Sequence, residues 1–109
     1  MGNHDASGSG YDGEFDLFIK SMQSEFPSFP SGCCQTTSQR VERQFGYKQV
    51  FGLFVDDDGI GHNHHWNESA TRIKDLTAYQ FGEFPRVYIL KKNSPEAQKR
   101  YIPGACFMI

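Results

Sequence analysis

The spacing of apolar side chains changes period at Gly46, and that change limits the folds open to this chain. Before it, Phe15, Phe18, Ile19 and Met22 recur every three or four residues, as on a helix with one buried stripe. The same spacing returns in Cys34, Ser38, Val41 and Phe45. After it, short runs of Val, Ile, Phe and Tyr alternate with turn residues, the pattern of strands. Helices that precede the strands instead of alternating with them predict an α+β fold, with N-terminal helices packed on a small antiparallel sheet.

The first helix is predicted over residues 11–26, with Asp12 as its N-cap and Pro27 beyond its end. The segment Phe26-Pro27-Ser28-Phe29-Pro30-Ser31-Gly32 cannot continue it, because each Pro lacks an amide donor and biases its predecessor toward extended geometry. A rigid loop therefore delivers the chain to Cys33, and a second helix is predicted from Cys34 to Phe45 with Gly46 as its stop. Strands are expected at 49–55, 64–68, 72–76 and 86–90. Asp56-Asp57-Asp58-Gly59 reads as a solvated hairpin turn, residues 91–100 as a polar stretch and 101–109 as an apolar end.

A chain of 109 residues has room for one core, so residues 11–109 are expected to form a single domain. Residues 1–10, MGNHDASGSG, are almost free of apolar side chains and read as a flexible leader or a cloning remnant. The net charge of -2, without a basic stripe, argues against nucleic acid as a partner. No apolar run approaches the roughly 18 residues of a membrane span, and no secretory signal opens the chain. The expected location is the cytoplasm, or outside the cell as an effector exported without a classical signal. Cys33, Cys34 and Cys106 are odd in number and two are adjacent, which makes a disulfide framework unsuitable and leaves thiols free.

A thiol in the first turn of a helix meets unpaired backbone amides and the positive end of the helix dipole, both of which favour thiolate. Cys34 is predicted there. A thiolate nucleophile also needs a base and a group that orients that base. His64 and Asp75 fall on neighbouring predicted strands joined by a turn near Ser69, which sets them side by side. Strand alternation places His64 and Trp66 on one face and His65 on the other.

Taken in order, Gly32-x-Cys34 with Ser38, His64-x-Trp66, and Asp75-Leu76-Thr77-Ala78-x-Gln80-Phe81 resemble the core motifs of bacterial papain-like and transglutaminase-like proteins. The resemblance covers residues 29–90. It implies a papain/transglutaminase-like core with Cys34 as nucleophile, His64 as base and Asp75 as orienting acid, without a cofactor. Cys33 falls on the variable position of the first motif, and Cys33, Trp66 and Gln80 are candidates to line the site or meet the oxyanion. The implied reaction is acyl transfer from an amide or ester, as in a peptidase, deamidase or transglutaminase, through a thioester. The substrate would be a protein, a peptide or a small amide or ester.

Other readings of the same residues stand beside this one. A cysteine on a helix face is by default a small core residue, and Cys106 in its apolar surroundings reads as packing. His62, His64 and His65 with Asp56, Asp57 and Asp58 have ligand chemistry suited to a metal, but adjacent strand histidines face opposite ways and no metal-binding spacing is present. Trp66 is expected to pack over the His–Asp hydrogen bond. A non-catalytic binding or inhibitor module on the same fold is the alternative function.

Overall fold

The computed structural model describes residues 11–105; the predicted leader and residues 106–109, with Cys106, lie outside them. Helix α1 runs Asp16–Glu25 and buries Phe18, Ile19 and Met22. It starts later than its apolar spacing implies, because Gly13 takes φ +88°, a left-handed conformation that interrupts a helix. Asp12 is therefore not the N-cap; its carboxylate accepts the Glu14 amide at 3.1 Å. The amide of Phe15 donates instead to the Tyr11 hydroxyl at 2.8 Å, which in turn donates to Asp16 at 2.9 Å.

Helix α2 spans Cys34–Phe45 as predicted, with Thr37, Ser38 and Val41 buried, and closes on Gly46 at φ +81°. The chain then forms β1 (Lys48–Val55), β2 (Gly61–Glu68), β3 (Arg72–Asp75), a 3-10 turn at Ala78–Phe81, β4 (Tyr88–Lys91), α3 (Pro95–Arg100) and β5 (Tyr101–Pro103). The strands make one curled sheet in the order β4-β3-β2-β1-β5, antiparallel throughout. The fold is α+β, with the N-terminal helices on a five-stranded antiparallel sheet. Among the described residues, no helix is long and apolar enough to cross a membrane.

The remaining departures from expectation have local causes. The run Arg86-Val87-Tyr88-Ile89-Leu90 becomes strand only at Tyr88, because Arg86 lies over the Tyr79 ring and Val87 packs with the helices. The polar stretch 91–100 holds α3, capped by Ser94, whose hydroxyl accepts the Ala97 amide at 3.2 Å, with Pro95 opening the helix. A helix of 6 residues is too short to show an apolar repeat. The Asp56–Asp58 turn is more than solvated: Asp56 accepts the amides of Asp58 and Ile60 and pairs with His62 at 2.8 Å, while Asp57 meets the buried Arg100 at 2.9 Å.

Two hydrophobic clusters flank the sheet. One gathers Phe54, Trp66, Ile73, Tyr88, Leu90 and Tyr101 inside the curl, and the other joins Phe15, Phe18, Ile19, Met22, Val41 and Leu76 under the helices. Gly52 makes the first possible. A Cβ there would collide with the Ile102 carbonyl and stand 2.8 Å from both Pro103 Cα and Trp66 Cη2. Only glycine lets β5 lie against β1 with Trp66 beneath.

Candidate active site

His64 lies in β2, opposite Gly52, and is wholly buried. Its ring packs between Phe54, Phe81 and Trp66, at centroid separations of 5.6, 5.0 and 6.0 Å. Nε2–H donates to Asp75 Oδ2 at 2.8 Å. Asp75 ends β3 and is also wholly buried. Its Oδ2 accepts the Tyr101 hydroxyl at 2.8 Å, and its Oδ1 accepts the Thr77 amide at 2.9 Å and the Thr77 hydroxyl at 3.3 Å. A buried carboxylate needs such saturation to remain charged. Burial, followed by the negative charge of Asp75, holds the Tyr101 phenol well above its ordinary 10.0, so it remains a donor.

Cys34 opens α2 where β2 and β3 part. The β2–β3 ladder stops at Asn67↔Lys74, so the backbone of His65 is not paired to β3, and its amide donates to the Cys34 side chain. Burial pushes the Cys34 thiol up, but the hydrogen bond and charge of His64 more than reverse it and the His65 amide adds to them. The thiol consequently lies below its ordinary 9.0. For His64, burial disfavours the cation, yet the charge and hydrogen bond of Asp75, assisted by Cys34, push its pKa up to about 9. Both shifts act in the same sense, favouring the thiolate–imidazolium form over the neutral pair.

With Nε2 committed to Asp75, the nitrogen facing the thiol is Nδ1. It has no partner of full hydrogen-bond geometry, while the Cys34 and His64 side chains are close enough to shift one another's proton affinity. Among the described residues, the other buried side-chain polar atoms without a partner are Thr37 Oγ1, in the first turns of α2, and Gln80 Nε2. Gln80 Oε1 accepts the Gly32 amide at 3.3 Å, which fixes the amide orientation and leaves Nε2 as an unused donor beside the loop that leads into Cys34.

Cys33 is buried and turns its sulfur to the Ser31 carbonyl, 3.4 Å away. Trp66 is buried against His64 and donates through Nε1 to Glu68 at 3.0 Å, a placement that keeps water from the His64–Asp75 bond. His65 projects to the opposite face, where Gln49 donates to its Nδ1 at 3.2 Å. Among the described residues, no group of three or more His, Cys, Asp or Glu side chains could hold a metal ion. A cavity of about 640 Å³ lies between Phe84, Tyr88, Glu96 and Arg100, and neither Cys34, His64 nor Asp75 lines it. Its Glu96 and Asp57 are already neutralised by Arg100, so its size carries no chemistry comparable to that at Cys34.

The sequence reading brought Cys34, His64 and Asp75 together, and the geometry does the same. It missed Tyr101, which reaches Asp75 only because β5 pairs with β1 at Phe54↔Tyr101; no motif marks it. It also left Thr77 without a role, although an Asp followed two residues later by Thr is a readable turn signal. No protein-family model matches the chain, and no curated protein and no solved structure is significantly similar to it.

The raised pKa of His64 has a consequence for stability. The group binds its proton more tightly folded than unfolded, so the stabilisation is fully present below 6.5, its ordinary value, and is lost as pH rises through about 9. In a Cys34→Ala background, where no thiol loses the proton that His64 gains, urea denaturation across that interval should show the folding free energy falling by on the order of 2 kcal/mol, and adding His64→Gln should flatten the decline; in the parent the lowered Cys34 pKa offsets it. An undiminished slope in the variant would assign the decline to other groups.

Proposed function

We propose that this protein is a cysteine-dependent hydrolase or acyltransferase with a papain/transglutaminase-like core, acting on an amide or ester through Cys34, His64 and Asp75. The observation that carries the reading is the buried His64–Asp75 pair, whose second ring nitrogen faces a partly exposed thiol of lowered pKa. The Cys34 thiolate attacks the carbonyl carbon, and the negative charge that develops on oxygen is met by the backbone amide of Cys34 and by Gln80 Nε2. Collapse of the tetrahedral adduct breaks the bond to the leaving amine or alcohol, which takes its proton from His64, and leaves a thioester on Cys34. His64, now neutral, takes a proton from water or an amine as that nucleophile attacks the thioester, and free Cys34 is restored. Water makes the reaction hydrolysis; an amine makes it transamidation.

Asp75 acts on the ring, holding Nε2–H so that Nδ1 faces the sulfur and stabilising the imidazolium. A non-catalytic binding module on the same fold has no need of a reachable thiol beside a charged, buried histidine, so the arrangement favours turnover.

The test is the rate of Cys34 alkylation by iodoacetamide across pH, with labelled peptides identified by mass spectrometry. In the parent the rate should rise at a pH below the ordinary thiol value of 9.0 and change again near 9, where His64 loses its proton. His64→Ala leaves burial as the dominant influence on Cys34, and labelling at neutral pH should fall about 100-fold. An ordinary thiol profile in the parent, unchanged by the substitution, would sink the catalytic reading and favour the binding module.

A further inference from the structure

Asp75 accepts more hydrogen bonds than the orienting of a ring requires. Thr77 already fixes the carboxylate, because its amide and its hydroxyl both donate to Oδ1, at 2.9 and 3.3 Å. The Tyr101 hydroxyl donates to the other oxygen, Oδ2, the same atom that holds His64 Nε2–H, and both distances are 2.8 Å. A second donor on that oxygen sets the positive end of a dipole beside the imidazolium and takes up part of the charge that attracts it.

The placement is rigid. Tyr101 is buried at the start of β5, with its ring against Phe54, Trp66 and Tyr88 at centroid separations of 5.1, 4.9 and 6.3 Å. The other ionisable groups facing this cluster are Cys34 from α2, His65 from β2, and Tyr88 and Arg100 from β4 and α3. Burial, followed by Glu96, holds Tyr88 well above its ordinary 10.0, and Arg100 is a permanent cation. Burial and then the charge of His64 keep the His65 ring neutral. Cys34 is therefore the neighbour whose charge changes together with that of His64.

Once a thioester forms, Cys34 carries no negative charge, and His64 must be neutral to accept a proton from the incoming water. Asp75 by itself favours the imidazolium at that moment. We propose that Tyr101 is a positioning residue: by sharing Asp75 Oδ2 with His64 it loosens the hold of the carboxylate on the imidazolium, which lets the ring act as base in the breakdown of the acyl-enzyme. This rests on the acyl-transfer reading of Cys34. In that step the water oxygen attacks the thioester carbonyl carbon and His64 Nδ1 takes one water proton. The C–S bond then breaks with its electron pair going to sulfur, so a carboxylic acid leaves and Cys34 returns as thiolate beside the imidazolium.

Tyr101→Phe removes the hydroxyl and keeps the ring in place. Drawing the whole ring away would instead admit water to Asp75 and screen its charge, which acts in the opposite direction. The first measurement is an NMR titration of the His64 ring nitrogens in the full chain carrying Cys34→Ala, where no thiol titrates alongside, with and without Tyr101→Phe. The variant ring should bind its proton about tenfold more tightly, a midpoint about one pH unit higher. An unchanged or lower midpoint in a folded variant overturns the proposal, because a residue that serves packing alone can only weaken the pair when it is altered. Circular dichroism reports folding; if the phenylalanine variant does not fold, a fluorotyrosine at position 101, a stronger donor of nearly the same shape, must lower the midpoint, and a midpoint that stays put overturns the proposal equally. With Cys34 present, p-nitrophenyl acetate supplies the acyl group. Tyr101→Phe should slow deacetylation of Cys34 about tenfold at neutral pH and recover the parent rate at higher pH; deacetylation as fast as in the parent at neutral pH overturns the part of Tyr101 in turnover. A parent that forms no acetyl thioester on Cys34 removes the acyl-transfer reading, and the role in acyl-enzyme breakdown with it, whatever the titration shows.

Discussion

Asp75→Asn should slow Cys34 alkylation at neutral pH by up to about 100-fold, the loss expected of removing the His64 ring itself, although Asp and Asn side chains have nearly the same shape. Each carboxylate oxygen accepts two hydrogen bonds, Oδ1 from the amide and hydroxyl of Thr77 and Oδ2 from His64 and Tyr101. An asparagine must put an NH2 group at one of those places. At the Oδ1 position it faces the Thr77 amide, which cannot become an acceptor. At the Oδ2 position it faces Tyr101, whose hydroxyl can turn, and His64, which must present a bare Nε2 and carry its proton on Nδ1. The second arrangement is the less costly, and in it the nitrogen facing Cys34 already holds a proton and cannot accept another. The negative charge that raises the pKa of His64 is lost as well. The check is the alkylation rate together with a thermal melt; a folded variant labelled as fast as the parent would show that Asp75 does not control the ring.

Gly52→Ala should destabilise the fold by about 3 kcal/mol and raise the pH at which Cys34 labels. The added methyl meets the backbone of β5 and the Trp66 ring, and backbone has little freedom to give way. If β5 moves outward, Tyr101 at its start draws away from Asp75 and the carboxylate loses one of its donors. Stability and site chemistry are thus coupled through a glycine that touches no reacting atom. Urea denaturation and the pH profile of alkylation read the two effects separately. An alanine variant as stable as the parent would mean that β5 tolerates displacement and is not what holds Tyr101 in place.

Much of the site could be read from local sequence. A Pro- and Gly-rich loop before a helical repeat placed Cys34 at the head of α2, because Pro excludes helix before it and the repeat requires helix after it. Strand alternation separated His64 from His65, and the turn near Ser69 brought Asp75 back beside the His64 strand. The first helix was drawn too long because its apolar spacing says nothing of the conformation at Gly13. Helix α3 was overlooked for the opposite reason: its cap residues are present but it is too short for a repeat.

Sequence alone determined the order of the first two helices and the four strands that follow them, the position of Cys34 on its helix and the placing of His64 beside Asp75, since each depends on periodicities and turns that act over a few residues. Tertiary structure alone decided that Tyr101 completes the Asp75 environment, that Gln80 holds Gly32 and keeps a free donor, and that Gly52 must lack a side chain. Those contacts join segments far apart in the chain, and they exist only once the sheet has closed and its register is set by burial of one face.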